Sequence, residues 1–236
     1  MAIWLNAADD GFESAFADLL SMKREVSKDV SDVVETILAR VRAEGDAALA
    51  DYSARFDSID FAVTPMRVGA DEIEAAYAAV DRKVIDALTL AEKRIRSHHA
   101  RQLPKDDFYE DDIGVGLGHR WTAVEAVGLY VPGGTASYPS SVLMNAVPAK
   151  VAGVERIVMV VPAMKGAVNP AVLAAAKIAG VTEIYRIGGA QAVAALAYGT
   201  ETIAPVSKIV GPGNAYVAAA KRAVFGTVGI DMIAGP

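Results

Sequence analysis

Apolar residues in the first hundred positions recur at three- and four-residue steps, a spacing that is typical of amphipathic helices. One stripe consists of Val30, Val33, Val34, Ile37, Leu38 and Val41, and a second of Val84, Leu88, Ala91 and Ile95. Ser27 is a candidate N-cap for the first helix, and Gly45 separates it from a helical pattern over 46–56. Pro65 lies in an irregular stretch over 57–70. The pattern therefore predicts helices through most of residues 1–103.

From residue 122 onwards, short apolar runs alternate with helical patterns. Strand candidates lie at 125–131, 156–161, 183–187, 207–210 and 229–233, and helix candidates at 139–153, 169–180, 190–198 and 214–225. This alternation predicts βαβ units, a parallel sheet and helices on both of its faces. Between the two parts, residues 108–121 alternate like short strands and predict an antiparallel segment. We therefore expect two domains, over 1–121 and 122–236.

The charges are unevenly divided between these two parts. Residues 1–121 carry 24 acidic and 15 basic side chains, whereas residues 122–236 carry 5 and 8 and contain 14 of the 20 glycines. A glycine-rich, mildly positive part is suited to an anionic ligand such as a pyrophosphate. The alternative is that the elements of this part are buried and therefore carry few acidic or basic side chains of any kind. The net charge of −6 and the lack of a basic stripe argue against nucleic acid as a partner.

The chain contains no cysteine, which excludes disulfides and thiolate chemistry within it. No apolar run approaches the roughly 20 residues that cross a bilayer, and the first ten residues, with Asp9 and Asp10 and no basic side chain, do not resemble a signal peptide. We therefore expect no membrane partner and a cytoplasmic location.

Three apolar runs each end in a glycine-containing turn that leads into a helical pattern. The turns lie at 130–134, 188–191 and 211–214, and they carry Tyr130, Gln191 and Asn214. The carboxyl ends of parallel strands meet at one edge of a sheet, where α/β proteins bind ligands, and small residues let a flat ligand approach the backbone. The residues alone leave two interpretations equally open: a nucleotide or dinucleotide site, or glycines that only make tight turns.

Other catalytic patterns are absent from the sequence. It has no Gly-x-Gly-x-x-Gly fingerprint and no Gly-x-Ser-x-Gly elbow. The histidines His98, His99 and His119 lack the spacing of a helical metal site, and the acidic residues around 106–112 lack a calcium-loop pattern. Ser140 and Ser141 lie at a predicted helix start, where serine caps backbone N–H groups. The residues thus predict a ligand cradle without a nucleophile, an acid–base pair or a metal shell.

Several longer motifs closely resemble those of histidinol dehydrogenases. They are Arg120-Trp121 and residues 127–134 (VGLYVPGG), 138–145 (YPSSVLMN), 188–200 (GGAQAVAALAYGT), 208–214 (KIVGPGN) and 229–236 (GIDMIAGP), with 45–49 (GDAAL) and Tyr52 nearer the start. The motifs occur in the order expected for that family, and the resemblance covers the whole chain.

The resemblance implies a zinc- and NAD-dependent enzyme of histidine biosynthesis. Such an enzyme oxidises L-histidinol through L-histidinaldehyde to L-histidine and works as a homodimer. The implied fold is α/β, with a Rossmann-like parallel-sheet domain over 122–236, similar in shape to aldehyde dehydrogenases. A mainly helical, incomplete α/β segment over 1–121 precedes it. Tyr130, Gln191 and Asn214 match the family's NAD-contacting positions.

In that family the substrate-contacting serine, the zinc ligands and the glutamate–histidine pair that handles protons follow the position of Pro236. We therefore expect an N-terminal part of the enzyme that has no catalytic residue or zinc ligand of its own and is inactive alone. Two alternatives stay open. One is a sister NAD-dependent dehydrogenase acting on another amino- or sulfo-alcohol, and the other is a non-enzymatic binding or dimerisation module.

Overall fold

The structure is a computed structural model that describes residues 4–22, 28–133 and 138–233. Its helices are α1 (Phe12–Met22), α2 (Lys28–Glu44), α3 (Asp46–Asp57), α4 (Ala70–Ala79), α5 (Arg82–His99), α6 (Pro139–Val151), α7 (Pro170–Ala179), α8 (Gly189–Tyr198) and α9 (Ala215–Val224). Its strands are β1 (Asp107–Glu110), β2 (Gly116–His119), β3 (Ala126–Tyr130), β4 (Arg156–Val160), β5 (Glu183–Tyr185), β6 (Lys208–Val210) and β7 (Gly229–Ile230). Ser27, the predicted cap, and Gly134 lie outside the described residues. No helix in the described ranges is both long and apolar enough to span a membrane.

Five strands form a parallel sheet in the spatial order β5-β4-β3-β6-β7. Numbered by their appearance in this sheet, the strands run 3-2-1-4-5, which is the order of a Rossmann-type sheet. The chain moves outward from β3 to one side and then returns to place β6 on the other side. The crevice between the carboxyl ends of β3 and β6 is therefore the topological switch point, where such sheets bind their ligands. The predicted parallel α/β fold is confirmed.

Helices cover both faces of the sheet. Each strand contributes to both cores, because its successive side chains point to opposite faces. In β4, Val158 and Val160 face a core formed with α2, α3, α8 and α9. Ile157 and Met159 face a second core, which β4 shares with α4, α6 and α7. Helices from the first part of the chain thus pack on both faces of the sheet that follows them.

The predicted helical stripes are buried or half-buried, with two exceptions. Val34, Ile37, Leu38 and Val41 of α2 are at most 5% exposed, but Val33, on the same predicted stripe, is 45% exposed and lies outside the core. Val33 instead borders a cavity, and a three- and four-residue spacing cannot distinguish a cavity wall from a core.

In α5 the buried residue is Ile85, whereas Val84 is 40% exposed. Ile85 lies three residues before Leu88, which places the two on the same face of the helix. The predicted stripe was therefore wrong by one position at its start.

The start of α6 also differs from the prediction. The helix begins at Pro139 and its N-cap is Tyr138, which makes no side-chain capping bond. Ser140 and Ser141 lie inside the first turn and do not cap it, because proline is itself suited to the first helical position. The predicted antiparallel segment is confirmed as the β1–β2 hairpin, whose residues are all exposed.

Candidate functional site

A cavity of about 650 Å³ lies at the carboxyl ends of the parallel strands. Its volume falls within the roughly 300–1,000 Å³ that is usual for small-molecule sites. One side is formed by the ends of the strands and the turns that follow them, including Tyr130, Pro162, Gln191 and Asn214. The three residues singled out in the sequence therefore come together in one cavity.

Another part of the cavity lining comes from the start of the chain. Val33 and Ile37 of α2 and Phe56 and Asp57 of α3 line it. Aromatic and apolar side chains remain accessible around the cavity, since Phe56 is 51% exposed and Tyr216 is 43% exposed. Such a lining favours a flat, largely apolar group between two walls.

Tyr130 is the last residue of β3, and only 3% of it is exposed. Its phenol oxygen accepts a hydrogen bond from the N–H of Gly189 at 3.1 Å, which joins the end of β3 to the start of α8. Burial raises the pKa of Tyr130 to about 12; the negative charge of Asp57 also raises it, and the Gly189 N–H acts in the opposite direction. The hydroxyl therefore stays protonated near neutral pH and retains a proton that it can donate.

Gln191 lies in the first turn of α8 and is 2% exposed, yet its side chain borders the cavity. No hydrogen-bond partner for its amide lies among the described residues. The N-cap Gly188 supplies no side-chain cap to this helix. The amide atoms are not fully buried and the residue lines the cavity, so Gln191 can bond to a polar group that enters it.

Asn214 is the N-cap of α9, and its Oδ1 accepts a hydrogen bond from the N–H of Val217 at 3.1 Å. This capping bond uses the amide oxygen and leaves the NH₂ group for a ligand. Asn214 is exposed, and its role as a cap was not predicted from the sequence.

The turn before Asn214 approaches the end of β3 very closely. Gly211 has φ +112°, and a Cβ atom at this position would overlap the carbonyl oxygen of Tyr130. The turn is also held by Asp231, whose Oδ2 accepts a hydrogen bond from the N–H of Gly211 at 2.8 Å.

Lys221 of α9 completes this arrangement and was not singled out in the sequence. It is 1% exposed, and its Nζ donates to the carbonyl oxygen of Gly211 at 2.9 Å and to the carboxylate of Asp231. The sequence did offer a signal, because Lys221 lies among the alanines of a helix that is predicted to pack on the sheet. A lysine in such a place is rarely buried unless it is paired with another group, so its position called for a partner.

Charges in the cavity differ from the sequence-based expectation. The described residues that line it include no lysine or arginine, so the mild positive charge of residues 122–236 lies elsewhere. Asp57 is the acidic side chain among them, and it too was missed in the sequence. Within the described ranges there is no group of three or more histidine, cysteine, aspartate or glutamate side chains that suits a metal ion.

A parallel sheet in this order, with a cavity at its switch point, defines an α/β protein of the Rossmann-like class. The sequence profile of the histidinol dehydrogenase family matches residues 20–236, and the chain belongs to that family. It is 78% identical to the histidinol dehydrogenase of Agrobacterium fabrum over all 236 residues, and 74% identical to that of Rhizobium meliloti.

A solved structure supports the same relationship. The crystal structure of histidinol dehydrogenase from Elizabethkingia anophelis matches 90% of this chain with a TM-score of 0.84 and 39% sequence identity. The chain covers 49% of that protein, and 55% and 54% of the Agrobacterium and Rhizobium relatives. It thus spans about half the length of the relatives it matches, and corresponds to their N-terminal part.

Proposed function

We propose that this chain provides the NAD-binding part of a histidinol dehydrogenase, an oxidoreductase that converts L-histidinol through L-histidinaldehyde to L-histidine. The observation that carries the proposal is the convergence of Tyr130, Gln191 and Asn214 on one cavity at the switch point of a Rossmann-like sheet. When bound, NAD⁺ would accept the hydride from the substrate. The residues of this chain would bind and orient it.

Polar groups at the cavity are suited to a dinucleotide. The N–H groups of Ala190 and Gln191 stand at the N-terminus of α8 and find no acceptor among the described residues. Helix N-termini with free N–H groups bind phosphates, and this one offers positive potential where the lining holds no basic side chain. The NH₂ groups of Gln191 and Asn214 and the hydroxyl of Tyr130 add further donors.

The apolar part of the cavity is suited to the rings of a dinucleotide. Phe56 and Tyr216 are accessible at its sides, and glycines let the ligand lie close to the backbone. A Cβ atom on Gly188 would collide with Pro162, so this turn has no room for a larger residue.

Zinc, the proton-transferring residues and the rest of the substrate site are part of the same proposal, but the described residues do not fit them. Because no suitable ligand cluster is found among these residues, we derive no zinc-dependent step from them. We propose that these functions belong to segments outside this chain, and that the 236 residues alone are inactive. We also propose that the full-length protein forms a homodimer and is located in the cytoplasm.

The first experiment is a calorimetric titration of the 236-residue chain with NAD⁺. We expect saturable binding, and a Gln191→Leu substitution should weaken it about 3- to 10-fold, because the loss of one hydrogen bond costs roughly 0.5–1.5 kcal/mol. Gln102→Leu is the matched control, since Gln102 is exposed and its side chain bonds, among the described residues, to His98 and His99 of α5. It should bind NAD⁺ as the wild type does.

Failure of the wild-type chain to bind NAD⁺ would contradict the proposed cofactor site. A second measurement tests the proposed inactivity: NADH formation with L-histidinol, followed by absorbance. Turnover by a homogeneous preparation of the 236-residue chain would show that the catalytic groups had been wrongly assigned to other segments.

A further inference from the structure

Asp57 places a carboxylate on the wall of the cavity, close to the phenol of Tyr130 at the end of β3. It is the last residue of α3 and only 8% of it is exposed. No hydrogen bond or ion pair joins its side chain to another of the described residues. Its neighbour Phe56 lines the same wall.

This position is unfavourable for a carboxylate in two respects. Burial without a hydrogen-bond partner costs free energy, and it raises the pKa of Asp57 above its ordinary value. The C-terminus of a helix carries a partial negative charge, which repels an anion. Nothing within the described part of the protein offsets these costs, so the carboxylate does not serve the stability of the fold.

The surroundings of Asp57 limit the kinds of ligand group that could bond to its carboxylate. Phe56 and Ile37 are apolar, and the nearby phenol of Tyr130 is neutral and already accepts the N–H of Gly189. A carboxylate in such a place accepts hydrogen bonds and offers two oxygens side by side. A pair of neighbouring hydroxyl groups matches these two oxygens, whereas a phosphate would be repelled.

We propose that Asp57 binds the vicinal 2′- and 3′-hydroxyls of a ribose ring in the cavity and is a determinant of dinucleotide affinity. The proposal rests on the proposed function, since a dinucleotide carries two such riboses. One belongs to its adenosine half and the other to its nicotinamide half. The same carboxylate–diol contact is used in Rossmann-type sites, where the acid follows a strand of the sheet. Here it would come from a helix at the other end of the chain.

The experiment compares Asp57→Asn with Asp60→Asn in the 236-residue chain. Asp60 is exposed, lies outside the cavity, and accepts the N–H of Ala62 with an oxygen that asparagine retains. Both variants lose one negative charge. The dissociation constant for NAD⁺ should rise about tenfold in Asp57→Asn, as expected for a lost charged hydrogen bond, and by less than about twofold in Asp60→Asn.

Mononucleotide probes then test whether the ribose is what Asp57 contacts. Adenosine monophosphate, nicotinamide mononucleotide and the 2′-deoxy form of each are titrated into wild type and Asp57→Asn. For one of the two pairs, the wild type should prefer the ribose over the deoxyribose form by about tenfold, and the variant should lose most of that preference. The pair that responds identifies which half of the dinucleotide lies at Asp57.

Two outcomes overturn the assignment. One is NAD⁺ binding by Asp57→Asn that equals that of the wild type. The other is an equal loss for the ribose and deoxyribose forms, which would indicate a general change in the site or pairing with a cation. If the wild type itself fails to bind NAD⁺, the proposed function fails first, so the two failures are distinguishable. The midpoint temperature of thermal unfolding should not be lower in Asp57→Asn than in the wild type, because the substitution breaks no hydrogen bond or ion pair among the described residues.

Discussion

Tyr130 and Asn214 each use one polar function inside the protein and leave another for a ligand. Tyr130 accepts the N–H of Gly189 and retains its own proton, and Asn214 caps α9 with its oxygen and retains its NH₂ group. At each residue, a substitution therefore changes both the stability of the fold and the affinity for a ligand. Suitable variants separate the two.

For Tyr130, the pH dependence of folding provides the test. Its pKa rises from 10.0 to about 12 on burial, so between these values the native state holds a proton that the unfolded state has lost. The associated stability is fully present below pH 10 and is lost as the pH rises through 12, by up to about 2–3 kcal/mol. Denaturant unfolding between pH 9 and 12 should show this fall in the wild type.

Tyr130→Phe should show a smaller alkaline fall than the wild type; a part should remain, because burial also raises the pKa of Tyr185. The variant should be less stable at neutral pH by about 1 kcal/mol, because the Gly189 N–H loses its acceptor. Tyr109→Phe, a change at a residue that is 57% exposed, is the control and should follow the wild-type profile. An unchanged alkaline profile in Tyr130→Phe would contradict the assignment.

For Asn214, serine and alanine substitutions distinguish capping from binding. Asn214→Ser keeps a capping oxygen and removes the NH₂ donor, so NAD⁺ affinity should fall about fivefold with little loss of stability. Asn214→Ala should show the same loss of affinity and also lower the free energy of unfolding by about 1 kcal/mol. Calorimetry and denaturant unfolding measure the two quantities. Wild-type affinity in both variants would remove Asn214 from the site.

At the level of elements, the turn between β6 and α9 is fixed by an ion pair between α9 and the segment that follows β7. Lys221 lies on α9 and Asp231 follows β7, and both bond to the backbone of Gly211. Burial favours the neutral form of Asp231, but hydrogen bonds from Lys221 and from the N–H groups of Gly211 and Met232 outweigh it and lower its pKa. The pair therefore positions the turn that carries Asn214.

Asp231→Asn should lower the free energy of unfolding by about 1–2 kcal/mol near neutral pH, because it leaves the buried ammonium group of Lys221 without its counter-charge, while water at the partly exposed carboxylate position screens part of the loss. Since the native pKa of Asp231 is depressed, its contribution is present above the unfolded pKa of 3.8 and is lost as the pH falls below it. The difference between wild type and variant should thus shrink in acid.

Asp86→Asn is the control for this change. It removes an exposed ion pair with Arg82 on α5 and should cost less than about 0.5 kcal/mol. Denaturant unfolding of the three proteins at neutral and acid pH makes the comparison. An Asp231→Asn variant as stable as Asp86→Asn would show that the pair does not hold the turn.

The spacing of apolar residues predicted the helices and strands well. A helix buried on one face has apolar residues at three- and four-residue steps, and a strand buried on both faces has a continuous apolar run. It also predicted that Tyr130, Gln191 and Asn214 would meet, since the topology of a parallel sheet brings its turns to one edge. It did not predict Asp57 or Lys221. Their significance depends on which helix packs over which strand, and no local spacing contains that information.

At the scale of the molecule, the cavity joins distant parts of the chain. The helices α2 and α3 form one wall, and the turns after the strands form the other. A ligand between them binds only when both walls are in place, so its binding free energy stabilises both. The cavity is thus lined by residues from both sides of the proposed domain boundary at residue 121.

Hydrogen exchange with and without NAD⁺ tests this coupling. At about 100 times the dissociation constant, a ligand stabilises the native state by about 2.7 kcal/mol. Slower exchange should appear in α3 as well as in the turns at 188–191 and 211–214, whereas the exposed β1–β2 hairpin should not change. Protection confined to the turns would mean that α3 is not a wall of the NAD⁺ site.

The close approach of Gly211 to the carbonyl of Tyr130 has a consequence for the tolerance of the gene to mutation. Gly226 has a similar backbone angle, φ +100°, but open space where a side chain would begin. In a library of random codons, position 226 should admit asparagine and aspartate, which tolerate such angles best. Position 211 should return glycine alone, because every other amino acid would need to occupy the place of a backbone oxygen.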